Sequence, residues 1–269
     1  MLSVNTNASA LSALRNLEAN HKWLEKLQTR VATGLEVSSI TDNPATFMLA
    51  QRMRGDLAGL NATIRSIDSA TISVDVATTA TESISDVLIE MKGTMVSLLN
   101  AEKSGDTNAA DLYRNDLDGY RETIKTMISG ASFNGTNLID QGNDIISALA
   151  NHDGSETLDF DHQNLEFGGS LITLGDDSNY TMEQIEASIN NVNMALGHFG
   201  TASRRLEIQK EFTSKLHDIV ETGIGRLVDA NLAKTAAQIQ AAQVKEQLGI
   251  IALNISNQEP KVVLSLFQS

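Results

Sequence analysis

Residues 57–98 read LAGLNATIRSIDSATISVDVATTATESISDVLIEMKGTMVSL. Leu57, Leu60, Ile64, Ile67, Thr71 and Val74 step along this stretch at 3-4-3-4-3, and Ile84, Leu88, Met91, Met95 and Leu98 resume at 4-3-4-3. Alternating steps of three and four keep side chains on one face of an α-helix. Neither Gly nor Pro falls between Leu60 and Lys92, so nothing local breaks the run. Pro44 suits the first position of this helix, with Asn43 as its cap. The spacing predicts a helix from Pro44 to about residue 100, on the order of 80 Å long. Thr78, Thr79, Thr81, Ser83 and Ser85 give it weak intrinsic propensity, so it needs partners along its length.

Downstream, a polar turn from Asn100 to Asn108 leads to a third helix over Thr107–Ser129, striped by Tyr113, Leu117, Tyr120, Ile124 and Met127. A short turn makes these two helices antiparallel neighbours. Phe133-Asn134-Gly135 is a tight-turn signal. Residues 136–180 then change character, with strand candidates at Asp144–Leu149, Thr157–Phe160 and Leu171–Leu174. Helical spacing returns from Thr181, whose neighbours Glu183 and Gln184 suit a helix start. Met182, Ile185, Ile189, Val192, Leu196 and Phe199 carry the stripe, and Leu206, Phe212, Leu216, Ile219 and Leu227 extend its apolar surface.

Two further helices lie at the ends. Near the start, over about 5–33, Leu17, Leu24 and Val31 fall seven apart, with Leu11, Leu14 and Leu27 widening a coiled-coil-like seam. Gly34 stops this helix, and residues 34–43, which include Asp42 and Asn43, form an irregular connector up to Pro44. Near the other end, Val244, Leu248, Ile251 and Ile255 repeat at 4-3-4, Ala236, Ala237, Ala241 and Ala242 permit close helix approach, and Pro260 marks the helix end. The fold class expected is mainly α: a long antiparallel helical bundle or coiled coil, terminal helices paired, with a small β-hairpin region at about 136–180. Striped helices at both ends can bury themselves against each other or against further copies, which puts self-assembly ahead of catalysis.

Composition narrows the function. The 269 residues hold 41% hydrophobic but only 4% aromatic residues, with one Trp and two Pro. Long helices joined by short turns suit that balance better than a compact enzyme does. The net charge of −14 is unevenly spread: residues 1–40 and 230–269 each sum to +1, leaving −16 on 41–229. Near-neutral ends can crowd together, whereas an acidic middle prefers solvent and repels phosphates and anionic lipid. Nucleic acid is therefore not an expected partner, and membrane insertion is not expected because no stretch approaches about 18 apolar residues. No Sec-type signal is visible at the start. The absence of Cys excludes disulfides and thiol chemistry.

No catalytic constellation stands out, and no cofactor or metal is expected. His21, His198 and His217 lie on helices, with no His-Glu-x-x-His run and no pair of histidines four apart. His152, Asp153, Glu156, Asp159, Asp161 and His162 cluster in the hairpin region, but the ligand order of a calcium loop is missing. They read as solvated hairpin charges. Gly168-Gly169 and Gly197–Gly200 lack a phosphate cradle's context, and Met91, Met95 and Met127 sit on helix stripes as core packing.

The ends carry a resemblance. Val4-Asn5-Thr6-Asn7, Arg30-Val31-Ala32-Thr33-Gly34-Leu35, Thr41-Asp42-Asn43-Pro44-Ala45 and Ser132-Phe133-Asn134-Gly135 occur in the order in which similar runs occur in bacterial flagellin. Asn231-Leu232-Ala233-Lys234, Gln243–Gly249, Ala252-Leu253-Asn254 and Leu264-Ser265-Leu266-Phe267 resemble that family's C-terminal run. The resemblance covers about 1–140 and 181–269.

It implies a non-enzymatic subunit of the swimming filament, secreted through the flagellar type III route. Residues 1–40 with 230–269 would form an inner terminal domain, and 41–229 an outer helical domain with the hairpin region and no large variable insertion. The self-assembly interface would use Leu11, Leu14, Leu17, Leu24, Leu27, Val31, Val244, Leu248, Ile251, Ile255, Leu264, Leu266 and Phe267, with Gly34, Asp42, Asn43 and Pro44 linking the layers. Partners implied are the chain itself, other flagellins, cap and hook-junction proteins and an export chaperone. Where many flagellins carry a basic run contacted by the vertebrate Toll-like receptor, this chain has Ile89-Glu90-Met91-Lys92-Gly93-Thr94. Glu90 reverses a charge and Thr94 replaces a Leu, so receptor activation is expected to be weak. The other readings are a hook–filament junction protein and a flagellin-like surface-binding protein.

Overall fold

The computed structural model describes residues 6–175 and 180–266, with side chains up to residue 258 at the C-terminal end. Its elements, numbered in chain order, are α1 (Ala8–Thr33), α2 (Pro44–Ser104), α3 (Thr107–Gly130), β1 (Ser132–Phe133), β2 (Thr136–Asn137), β3 (Ile145–Leu149), β4 (Thr157–Asp161), α4 (Met182–Val228) and α5 (Leu232–Leu266). The mainly α reading holds. Local chemistry explains where helices begin: the side chains of Asn7, Asn43 and Asp106 accept from Ala10, Thr46 and Ala109 backbone N–H groups. Thr181 and Gln184 cap α4 reciprocally, with the Gln184 N–H on the Thr181 hydroxyl and the Gln184 amide oxygen on the Thr181 N–H.

Two compact units emerge, residues 56–219 and residues 1–55 with 220–269. The latter sums to +2, so 56–219 carries −16 of the chain's −14.

Within 56–219, α2, α3 and α4 share one core, in which Ile67, Ile84, Leu88, Met91, Leu117, Ile124, Ile185 and Val192 are fully buried. Arg114 of α3 meets Glu102 of α2 at 2.6 Å across the short turn, as antiparallel neighbours must. Five of the hydroxyls on α2 are satisfied within the helix itself. Thr71, Thr78, Thr79, Thr81 and Ser83 each donate to the carbonyl four residues back, at 2.6–2.9 Å. That self-satisfaction lets Thr81 sit wholly inside the core.

The hairpin region roofs the helices. β3 and β4 pair antiparallel from Ile145↔Asp161 to Leu149↔Thr157, and Asn134 and Gly135, both at positive φ, turn β1 into β2. The turn after β3 is pinned to the helices. Ser66 accepts from the Leu149 N–H, while Thr63 and Gln209 donate to the Asn151 and Ala150 carbonyls. Gly59 makes this seat possible, because a Cβ there would overlap the His152 carbonyl.

Two sequence expectations fail. Leu171–Leu174 is not a strand; only an isolated bridge between Phe167 and Ile172 remains. Its backbone groups are claimed by α4 side chains instead: the Thr173 N–H donates to Ser188, and Asn191 donates to the Leu171 carbonyl. Pro260 does not end the last helix, which continues to Leu266.

Candidate self-assembly surface

In the unit formed by 1–55 and 220–269, α1 and α5 run antiparallel. Asn20 donates to the Ala242 carbonyl at 2.8 Å, His21 sits 3.3 Å from Glu246, and the Asn7 amide donates to the Ser256 carbonyl at 2.7 Å. Leu24, Leu27 and Ala242 form the small core of this pair, with Ile239 against it. Further along the helices approach closely at Gly249, where a Cβ would come within 3.1 Å of the Leu17 side chain, which would have to shift by a few tenths of an ångström. Of the four alanines expected to give close approach, Ala242 alone is buried; Ala236, Ala237 and Ala241 are exposed.

The predicted seam therefore splits. Leu24 and Leu27 are spent inside the chain and Leu17 is half-buried, while Leu11, Leu14 and Val31 remain exposed. On α5 the whole stripe faces out: Val244, Leu248, Ile251 and Ile255 are each more than half exposed, and Ile250 joins them at 47%. The side chains of Leu264, Leu266 and Phe267 lie outside the described residues. Contiguous apolar surface of this kind marks an interaction site.

At the connector, Gly34 takes the left-handed conformation (φ 73°) that closes α1. The chain then clasps the end of α4, the Glu36 N–H donating to the Val228 carbonyl and the Ala230 N–H to the Gly34 carbonyl. Asp42 gathers the rest. Its carboxylate meets the Lys26 ammonium at 3.0 Å and accepts from the backbone and hydroxyl donors of Ser38 and Ser39. Lys26 first, then these serines, hold the Asp42 carboxyl well below the usual carboxylate range against the opposing effect of partial burial. Asn43 and Pro44 start α2 immediately after. Sequence reasoning missed Lys26, Asn20 and Gly249, although a glycine inside a helical pattern is itself a sign of close approach.

Elsewhere the hairpin charges are engaged separately. His152 faces Asp56 at 3.8 Å, Asp153 accepts from Ser155, and Asp159 accepts from the Ser147 hydroxyl. Ser155 holds the exposed Asp153 carboxyl below its ordinary value. Among the described residues no helix is long and apolar enough to cross a membrane.

Comparison with known proteins turns this geometry into a family assignment. Residues 4–144 match the bacterial flagellin N-terminal helical region, and residues 182–267 match the bacterial flagellin C-terminal helical region. The chain belongs to the bacterial flagellin family. Full-length relatives agree. Flagellin FljJ of Caulobacter vibrioides is 35% identical, with 99% of each chain covered, and a flagellin of Brucella melitensis is 28% identical over the whole of both. A solved structure from Vibrio parahaemolyticus, described as a flagellar hook-associated protein, shares the fold with a TM-score of 0.53. It is 15% identical, and the match covers 70% of this chain and all of that one.

As a flagellin, the chain is a structural subunit of the bacterial flagellar filament, and swimming motility is the family's role. On this flagellin Glu90 is exposed, Thr94 is half-buried, and Lys92 is tied to Glu186 of α4 at 2.9 Å.

Proposed function

We propose that this flagellin polymerises through its two ends. Residues 1–40 and 230–269 form an inner layer around the filament's central channel, and residues 41–229 form the outer layer. The 136–180 hairpin region completes that outer layer by itself, giving a thin, comparatively smooth filament. Gly34, Asp42, Asn43 and Pro44 link the two. The observation that carries this reading is the outward stripe Val244, Leu248, Ile251 and Ile255 on α5, which the chain's own α1 leaves uncovered. A patch that must be covered by a different patch on the next copy makes a heterologous contact, and such contacts grow helical filaments when they do not close. The terminal pair has little core of its own, so it becomes firm on assembly.

The partners follow from that role: further copies of the chain, alone or with other flagellins, cap and hook-junction proteins at the filament ends, and an export chaperone before assembly. Secretion to the extracellular filament belongs to the same reading. The Glu90, Lys92 and Thr94 face is proposed to activate the vertebrate flagellin receptor weakly. The exposed acid and the engagement of Lys92 by Glu186 support this, and a cell reporter response equal to that of a strongly activating flagellin would refute it.

Seeded elongation tests the main claim. Purified full-length chain added to short filament fragments is expected to give long filaments by negative-stain microscopy, and a chain lacking 230–269 none. Full-length protein that stays monomeric on seeds would overturn it.

A further inference from the structure

Pro260 has no N–H, so it cannot supply the helical bond to the carbonyl four residues earlier. The carbonyl is that of Ser256, and α5 nonetheless runs on to Leu266. An orphaned, part-buried carbonyl in mid-helix needs a donor from elsewhere. It has one: the side-chain amide of Asn7, 249 residues away in sequence, donates to Ser256 O at 2.7 Å. The other end of the same amide accepts from the Ala10 N–H at 2.9 Å and caps α1. The two partners fix the amide's orientation, since reversing it would set N–H against N–H and oxygen against oxygen.

We infer that Asn7 is a positioning residue for assembly, supplying the hydrogen bond that Pro260 denies to Ser256 and thereby locking the register of α1 on α5. The inference rests on the terminal pair acting as the assembling unit. Sliding α5 by one residue would carry the Ser256 carbonyl away from Asn7 and leave it without the donor that Pro260 withholds. The proline and the asparagine form a matched set, a defect in one helix that only the cap of the other repairs.

A double-mutant cycle tests this. Asn, Asp and Ser cap helices about equally well. Asn7→Asp and Asn7→Ser therefore keep the cap and remove the donor, while Pro260→Ala supplies the missing helical N–H. The readout is the critical concentration for elongation on wild-type seeds. In the Pro260 background either Asn7 variant is expected to raise it about tenfold; with Pro260→Ala the same change is expected to raise it less than about threefold. Equal effects in both backgrounds would overturn the inference while leaving the filament reading intact. Failure of the wild-type chain to elongate would overturn the filament reading instead. In that event thermal unfolding of the four soluble chains, followed by helical circular dichroism, decides: Asn7→Ser must lower the midpoint only where Pro260 is present.

Discussion

The two compact units of this flagellin are built with opposite economies of apolar surface. Among the described residues, the 56–219 unit buries 31 apolar residues and exposes nine large ones; the unit of 1–55 and 220–269 buries seven and exposes fourteen. The first is folded around itself. The second exposes twice as many large apolar side chains as it buries apolar residues, and its near-neutral charge of +2 weakens the repulsion that would keep copies apart. Stability and assembly are separable on this plan: one unit supplies its own core, and the other leaves apolar surface that, under the proposed function, neighbouring copies cover.

The sharpest way to break that contrast is a charge on the exposed stripe. Leu248→Asp is expected to raise the critical concentration for elongation more than about a hundredfold, because an unpaired carboxylate cannot be buried at a subunit contact. Circular dichroism melting of the unassembled chain should stay unchanged, since Leu248 is exposed there. The converse change is Leu88→Ala, in a side chain wholly inside the 56–219 core. It is expected to lower unfolding stability by about 2–5 kcal/mol, measured on the monomer by denaturant. If Leu88→Ala spared the monomer and blocked only elongation, the division would fall.

Asp42 sharpens the contrast within the assembling unit. Its folded pKa is depressed, chiefly by Lys26. Its contribution is therefore complete above the ordinary carboxylate pKa of about 4 and is lost as pH falls from there toward the depressed value. Asp42→Asn is expected to cost roughly 1.5–3 kcal/mol near neutrality and to flatten the acid limb of filament disassembly followed by light scattering. An unchanged acid limb would separate the connector from assembly. Smallest is Lys92→Gln on the other unit. The Lys92–Glu186 pair is about half exposed, so monomer stability should move by no more than about 1 kcal/mol in denaturant titration.

The helices were legible because their evidence is local: 3-4 spacing, caps at Asn43 and Thr181, and Gly34 at the stop. What escaped was settled at a distance. Leu171–Leu174 has a strand's composition, but Ser188 and Asn191 on α4 take its backbone groups before a neighbouring strand can. Pro260 carries a stop signal, yet a side chain from the opposite end of the chain repairs the damage. The stripe on α1 was visible, but not its division into Leu24 and Leu27 facing in and Leu11, Leu14 and Val31 facing out. That division depends on the rotation of α1 about its axis, fixed by Asn20 on Ala242 and by the room left at Gly249.

The hydroxyl ladder of α2 has a mechanical consequence. A carbonyl that accepts from both its helical N–H and a Thr or Ser side chain can tilt away from the helix axis while staying bonded. Repeated at Thr71, Thr78, Thr79, Thr81 and Ser83, this makes the middle of a 61-residue helix a sequence of soft joints. Under torsional load in a viscous medium, such a rod yields by many small elastic bends spread along its length, and no single turn has to break.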